Sequence, residues 1–72
     1  MKITVYSKPN CMQCVATQKA LTAKGIAFDV VSLNDNQQAM DRVTALGYRQ
    51  VPVVVAGEEH WSGFRPDRIG QL

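Results

Sequence analysis

The chain has few of the residues that build metal sites and disulfide frameworks. It contains two cysteines and one histidine, His60, among 72 residues. A closed structural zinc site takes four ligands, so a single chain lacks one. A disulfide between cysteines three residues apart closes too short a loop to constrain the unfolded chain. The core must therefore come from the apolar residues, and their 46% share is normal for a globular domain.

Long apolar runs and concentrated charge are also missing. No stretch approaches the length of a membrane-spanning helix, and the first residues carry no secretory apolar region. The net charge is +2, and the eight basic residues are scattered along the chain, as on a solvated surface and not as in a nucleic-acid interface. We therefore expect one domain over residues 1–72 in the cytoplasm, with neither nucleic acid nor membrane as a partner.

The most informative stretch that is present is Cys11-Met12-Gln13-Cys14. It follows an apolar strand pattern and opens a helical one, so the two cysteines lie one turn apart on the same helix face. Unpaired backbone N–H groups and the positive end of the helix dipole favour a thiolate at such a helix start. The spacing predicts a redox dithiol, in which Cys11 attacks a disulfide and Cys14 resolves the mixed disulfide.

Other uses of a cysteine pair have to be weighed against the redox use. The pair can be half of a structural zinc site, the copper-binding pair of a metallochaperone, or a plain structural disulfide. A C-x-x-C next to a strand–helix–strand pattern in a cytosolic chain favours the redox use. The order of the predicted elements also differs from the β-α-β-β-α-β order of the metallochaperones.

Hydrophobic periodicity predicts an α/β fold with the order β-α-β-α-β-β-α. The predicted strands cover residues 2–6, 28–33, 51–55 and 60–62, and the predicted helices cover 12–24, a stretch ending at Gly47, and a short segment from Pro66. Asn34 and Asp35 are the N-cap candidates of the second helix. In helix one, Ala16, Ala20 and Ala23 share a face with Leu21 beside them. Either this small face lets the helix approach the sheet closely, or the alanines are simply good helix formers. A four-stranded mixed sheet with helices on both faces follows, with the cysteines at the carboxyl end of strand one.

Three further segments carry a family resemblance. The approach Tyr6-Ser7-Lys8-Pro9-Asn10-Cys11 resembles that of glutaredoxins, and Gln50-Val51-Pro52 resembles the cis-proline segment of thioredoxin-fold oxidoreductases. Met12-Gln13 replaces the Pro-Tyr of common glutaredoxins. The segment 61–67, Trp-Ser-Gly-Phe-Arg-Pro-Asp, stands where glutaredoxins carry a Gly-Gly-x-Asp type stretch that helps bind glutathione. That run resembles the NrdH-redoxins, and the resemblance covers essentially the whole chain.

The resemblance implies a thioredoxin fold and a cytosolic bacterial protein without a cofactor or a metal. Such a protein is reduced by thioredoxin reductase, a flavoenzyme that uses NADPH, and not by glutathione. It passes electrons to the large subunit of class Ib ribonucleotide reductase, and we expect it to work as a monomer. Two alternatives stay open, namely a glutathione-dependent glutaredoxin and a metal or iron–sulfur binding module that uses the cysteine pair.

The residues around the thiols are the candidates for partner binding. Lys8 either favours the Cys11 thiolate by its charge or is simply solvated. We expect a cis Val51–Pro52 bond, with the Val51 backbone free to pair with an extended substrate peptide. Trp61 and Phe64 are either core or an apolar surface around the thiols. The predicted site comprises catalytic Cys11 and Cys14 and partner-binding Lys8, Met12, Gln13, Val51, Pro52, Trp61, Ser62, Gly63 and Phe64.

Overall fold

The computed structural model describes residues 2–72 of the chain. Its elements are β1 (Ile3–Ser7), α1 (Met12–Ala23), β2 (Asp29–Ser32), α2 (Gln37–Ala45), β3 (Val53–Ala56), β4 (Glu59–Ser62) and α3 (Pro66–Gly70). The predicted order β-α-β-α-β-β-α is confirmed. No helix within residues 2–72 is long and apolar enough to span a membrane.

The four strands form one mixed sheet in the order β2-β1-β3-β4. β1 runs parallel to β2, which it reaches through α1, and Val5 lies opposite Val30. β3 is antiparallel to both of its neighbours, with Val54 opposite Val5 on one side and Trp61 on the other. Because β1 is a central strand, its carboxyl end and the cysteine pair that follows lie in the middle of the sheet edge and not at a corner.

Alternating side chains of the strands fill a separate apolar layer on each face of the sheet. The first layer joins β1, β3 and β4 to α1 and α3 and consists of Ile3, Val5, Leu21, Val54, Ala56, Trp61 and Ile69. The second layer faces α2 and consists of Tyr6, Leu33, Ala39, Val43 and Val53. The predicted placement of helices on both faces is therefore confirmed.

Helix α1 contacts the sheet through a different stripe from the one that its alanines predicted. Its buried residues are Cys14, Thr17 and Leu21, at spacings of three and four. The three alanines lie outside this stripe, since Ala16 and Ala20 are only half-buried and Ala23 is exposed. The buried stripe begins at the second cysteine, so the packing of α1 also fixes one of the two sulfur positions.

Helix α2 begins one to two residues later than the predicted caps. Asn36, and neither Asn34 nor Asp35, is the N-cap, because its Oδ1 accepts the Ala39 N–H at 3.1 Å. Asp35 has a φ of 55° and lies in the turn that leads into the helix. All three residues have capping side chains, so the tertiary course of the chain decides which of them caps the helix.

We expect Asn36→Ala to lower the free energy of unfolding by about 1 kcal/mol, because the Ala39 N–H loses its acceptor. In a domain of this size that loss corresponds to a decrease in Tm of about 4–8 °C. Thermal unfolding followed by circular dichroism measures it. Asn34→Ala is the matched control, since the Asn34 side chain is exposed and makes no hydrogen bond with residues 2–72. Equal losses in the two variants would contradict the assignment of the cap.

Helix α3 is short and is held to α1 at its C-terminal end. Pro66 occupies its first turn, as predicted, and Ile69 is buried in the first apolar layer. The Lys24 Nζ donates to the carbonyl oxygens of Ile69 at 3.2 Å and Gly70 at 2.9 Å, in the last turn of α3. These bonds hold the C-terminal end of α3. Residues 63–65, which lead into α3, lie next to the cysteine pair.

Candidate functional site

The two cysteines form a disulfide at the start of α1, with their Cα atoms 5.2 Å apart. β1 ends at Ser7, and the connector reaches Cys11 after Asn10, whose φ is 60°. Cys11 has extended backbone angles, φ −107° and ψ 109°, and is the N-cap of α1. The sequence predicts a helix from residue 12, and Met12 is the first residue with helical geometry, so Cys11 lies at the predicted helix start.

The Cys11 sulfur takes the part that a serine or aspartate oxygen takes in most helix caps. The Cys14 N–H donates to Cys11 Sγ at 3.1 Å, and the Val15 N–H donates to the Cys11 carbonyl at 3.2 Å. A negative charge on Cys11 Sγ would therefore meet both a direct N–H donor and the positive end of the helix dipole. This geometry favours the thiolate over the thiol in the reduced protein.

The two sulfurs differ in accessibility. Cys14 is buried, with 2% of its surface exposed, whereas Cys11 is half-buried at the edge of the helix. An incoming disulfide can therefore approach Cys11 directly, and Cys14 is covered by the protein.

Hydrogen bonds link the cysteine motif to two distant segments. Gln13 Oε1 accepts the Phe64 N–H at 3.3 Å, and the Gly63 N–H donates to the Pro52 carbonyl at 2.8 Å. The Val51–Pro52 bond is cis, as predicted. Gly63 has a φ of 83°, where only glycine is unstrained, and a Cβ there would lie 3.6 Å from Gln13 Oε1. These two hydrogen bonds connect the cysteine motif to residues 63–64, and residues 63–64 to the segment of the cis-proline.

The two aromatic candidates have different environments. Trp61 is 3% exposed and packs in the first apolar layer, so the structure decides for the core and against Trp61 as a docking side chain. Phe64 is 39% exposed and Met12 is 83% exposed. Met12 is part of the cysteine motif, and the Phe64 N–H donates to Gln13 of the same motif, so the motif and its hydrogen-bonded neighbour provide two exposed apolar side chains. Strand alternation explains the difference, because Trp61 points into the sheet layer and Phe64 lies beyond the end of β4.

Lys8 and Val51 share a cleft of about 160 Å³ between β1, α2 and the segment before Pro52. Its lining is mostly apolar, with two cations and no acidic residue: Lys8, Leu33, Met40, Val43, Thr44, Tyr48, Arg49, Gln50 and Val51. Nothing in the sequence indicated that Arg49 belongs to the site, because no local pattern places it in the same cleft as Lys8. An apolar cleft with two cations at its wall suits a ligand or peptide that carries a carboxylate.

The remaining polar pairs near the site lie at the surface. Arg65 bonds Asp67 through two nitrogens, at 3.3 and 3.1 Å. That hydrogen bond lowers the pKa of Asp67 and raises the pKa of Arg65, and both side chains are exposed. His60 is exposed, and its Nδ1 lies 2.7 Å from the Tyr48 hydroxyl, a contact that the sequence did not indicate. Residues 2–72 contain no group of three or more metal-ligating side chains.

Comparison with known proteins agrees with this geometry. The family model Glutaredoxin matches residues 3–61. The glutaredoxin-like protein NrdH of Salmonella typhimurium is 47% identical over 72 residues, which is all of this chain and 89% of the relative. The structure of NrdH-redoxin from Escherichia coli has a TM-score of 0.95 at 43% identity, covering 100% of this chain and 95% of that one. A glutaredoxin from Archaeoglobus fulgidus has a TM-score of 0.89 at 25% identity, covering 99% and 84%.

A disulfide-forming pair at the first helix of this mixed sheet, beside a cis-proline segment, places the molecule among the thioredoxin-fold redox proteins. The predicted fold is thereby confirmed. Within that class, the chain belongs to the glutaredoxin family, and in it to the glutaredoxin-like NrdH proteins.

Proposed function

We propose that this protein is a cytoplasmic, monomeric electron carrier that thioredoxin reductase reduces and that in turn reduces class Ib ribonucleotide reductase at its large subunit. The observation that carries the proposal is the full-length similarity to NrdH proteins, 47% and 43% identical. The E. coli NrdH-redoxin has a thioredoxin-like activity profile although it is glutaredoxin-like. The protein needs no cofactor of its own, because the two sulfurs carry both electrons.

In the proposed reaction, the Cys11 thiolate attacks one sulfur of the disulfide on the ribonucleotide reductase. The partner's S–S bond breaks, a mixed disulfide forms through Cys11 Sγ, and the leaving partner sulfur takes up a proton. The Cys14 thiolate then attacks Cys11 Sγ, which releases the second partner thiol and forms the Cys11–Cys14 disulfide. Two electrons move from this protein to its partner, and the reductase restores the dithiol by the reverse exchange.

The backbone of Val51 supports docking of an extended peptide next to the sulfurs. Within the part of the chain that the structure describes, neither its N–H nor its carbonyl makes a hydrogen bond. Val51 therefore offers an unpaired N–H donor and an unpaired carbonyl acceptor. An extended peptide of the partner can pair with both as an added strand. Met12 and Phe64 supply apolar contacts on the other side of the disulfide, and apolar anchors of this kind carry much of the binding energy between proteins.

A second candidate function is that of a glutathione-dependent glutaredoxin, and the cleft of Lys8 and Arg49 favours it. Both cations lie in a cleft that reaches Val51, and glutathione carries two carboxylates that such cations can hold. The same two charges suit an acidic peptide of a protein partner equally well. The electron donor distinguishes the two functions, since only a glutaredoxin is reduced by glutathione.

Reconstitution of the whole chain of electron transfer tests the proposed function. NADPH, thioredoxin reductase, this protein and class Ib ribonucleotide reductase are combined, and deoxyribonucleotide formation is measured. We expect product only when this protein is present, with NADPH consumed in proportion to it. Reduction of the protein without deoxyribonucleotide formation would contradict ribonucleotide reductase as the electron acceptor. No reduction at all would contradict thioredoxin reductase as the electron donor. Colour and metal content of the purified protein test the metal or iron–sulfur alternative.

A further inference from the structure

A hydroxyl group is buried one turn beyond Cys14 without a hydrogen-bond partner. Thr17 is fully buried, with 0% of its surface exposed, and its Oγ1 makes no hydrogen bond with the described residues. Threonines inside helices often donate to the carbonyl four residues earlier, here that of Gln13, and Thr17 does not. Buried polar atoms without a partner are rare in folded proteins and often belong to a functional site.

The position of Thr17 relative to the disulfide indicates the function of its hydroxyl group. Cys14 and Thr17 are three residues apart on the buried stripe of α1, the spacing at which side chains of a helix are neighbours. Cys14 is itself 2% exposed, so the surroundings of both groups exclude water. In the oxidised protein the Cys14 sulfur is half of a neutral disulfide, which is a weak acceptor.

We propose that the Thr17 hydroxyl donates a hydrogen bond to Cys14 Sγ when the pair is reduced, and thereby raises the reduction potential of the Cys11–Cys14 couple. On reduction by a dithiol, two electrons break the S–S bond and each sulfur becomes a thiolate or, with a proton, a thiol. The freed Cys14 sulfur is the stronger acceptor, and a thiolate there is stabilised most. The bond exists only in the reduced state, so it favours the dithiol over the disulfide.

Trp61 is the alternative hydrogen-bond partner of the Thr17 hydroxyl. Its Nε1 is also buried and has no hydrogen-bond partner among residues 2–72. Trp61 lies in the same apolar layer as Leu21, the next residue along the buried stripe of α1. An indole N–H that donated to Thr17 Oγ1 in solution would do so in both redox states. Thr17 would then stabilise the fold without changing the potential, and this difference separates the two assignments.

The test measures the equilibrium of the Cys11–Cys14 couple with dithiothreitol in three variants. We expect Thr17→Val to shift this equilibrium about fivefold toward the disulfide, which corresponds to a potential lower by about 20 mV. Thr17→Ser keeps the hydroxyl and should restore the potential of the natural protein. Thr22→Val is the matched control, because the same chemical change is made at an exposed position of the same helix.

An unchanged potential in Thr17→Val overturns the proposal, and so does an equal shift in Thr17→Val and Thr17→Ser, which would indicate packing alone. Unfolding of both redox forms gives an independent measurement. We expect valine to stabilise the oxidised form more than the reduced form, whereas equal changes would assign the hydroxyl to Trp61. If the valine variant does not fold, NMR of the natural protein decides, since a contact between the Thr17 hydroxyl and the Cys14 β-protons should appear only on reduction.

This inference rests on the dithiol–disulfide exchange of the proposed function but not on the identity of either partner. The equilibrium with dithiothreitol uses neither thioredoxin reductase nor ribonucleotide reductase. A negative result in the partner assays would therefore not affect the proposal for Thr17. A negative result for Thr17 would not affect the proposed partners.

Discussion

Cys11→Ser is expected to lose all disulfide reductase activity, whereas Cys14→Ser is expected to hold its partner in a stable mixed disulfide. Cys11 is half-buried at the helix start, and its sulfur accepts the Cys14 N–H at 3.1 Å. A serine hydroxyl in the same cap position is not ionised at neutral pH and is a far weaker nucleophile than a thiolate. Cys14 is covered by the protein, so it can resolve a bond at Cys11 but cannot easily begin one.

Mass spectrometry of each variant after incubation with oxidised ribonucleotide reductase or insulin measures this outcome. The Cys14→Ser protein should carry one covalently bound partner through Cys11, and the Cys11→Ser protein should carry none. Thermal unfolding of both variants in the reduced state is the control for an intact fold. A stable adduct through Cys14 in the Cys11→Ser protein would reverse the proposed roles of the two cysteines.

Thioredoxin reductase is expected to reduce the protein at least about tenfold faster than glutathione does, a difference of about 1.4 kcal/mol in the activation barrier. Residues 61–64 are bulky and mostly apolar where glutaredoxins bind glutathione, and this bulk predicts the preference. The structure shows which of the two aromatic side chains supplies it. Trp61 is in the core, so Phe64, 39% exposed and bonded through its N–H to Gln13, is the side chain that stands at the site. An aromatic ring there reduces the room for a tripeptide and provides apolar area for a protein surface.

NADPH consumption in two coupled systems measures the preference, with insulin as the final acceptor in both. One system contains thioredoxin reductase, and the other contains glutathione and glutathione reductase. Phe64→Ser should lower kcat/KM with thioredoxin reductase by about tenfold, as loss of an interface anchor does, and should raise the rate with glutathione. Val30→Ser is the matched control, because Val30 is 48% exposed on β2, at the other edge of the sheet.

Equal turnover in the two systems would mean that the protein is a glutathione-dependent glutaredoxin. The cleft of Lys8 and Arg49 would then be the first place to look for the glutathione carboxylates, and Arg49→Gln should raise the KM for glutathione. Turnover in neither system would favour the metal or iron–sulfur alternative, which the metal content of the purified protein tests directly.

Local sequence rules sufficed for the order of the elements and for the position of the cysteine pair. The period-2 pattern of Ile3–Ser7, the helical segment after Met12 and the proline at position 66 each act over a few residues, and each predicted element lies where the structure has it, with ends that differ by a few residues. Recognition of residues 50–52 likewise predicted the cis bond before Pro52. The positions of the helices and strands were predictable because neighbouring residues determine most of their conformational preference, whereas the cis bond was predicted from the resemblance.

Distant contacts were not predictable in the same way. The N-cap of α2 is Asn36 and not Asn34 or Asp35, because all three residues have capping side chains and the fold selects one of them. Trp61 is in the core and Phe64 is exposed, although only Ser62 and Gly63 lie between them. The bond from the Phe64 N–H to Gln13 joins positions 51 residues apart, and no short-range rule encodes such a distance.

The sequence by itself determined that this is a small α/β protein with a redox-type cysteine pair at the start of its first helix, because spacing and periodicity act locally. The tertiary structure decided which groups surround that pair. It buried Cys14 and Thr17 together, brought Lys8 and Arg49 to one cleft, and set Phe64 beside the motif. Those outcomes depend on how helices and strands pack across the sheet, where the burial of apolar area over the whole chain outweighs the preference of any single residue.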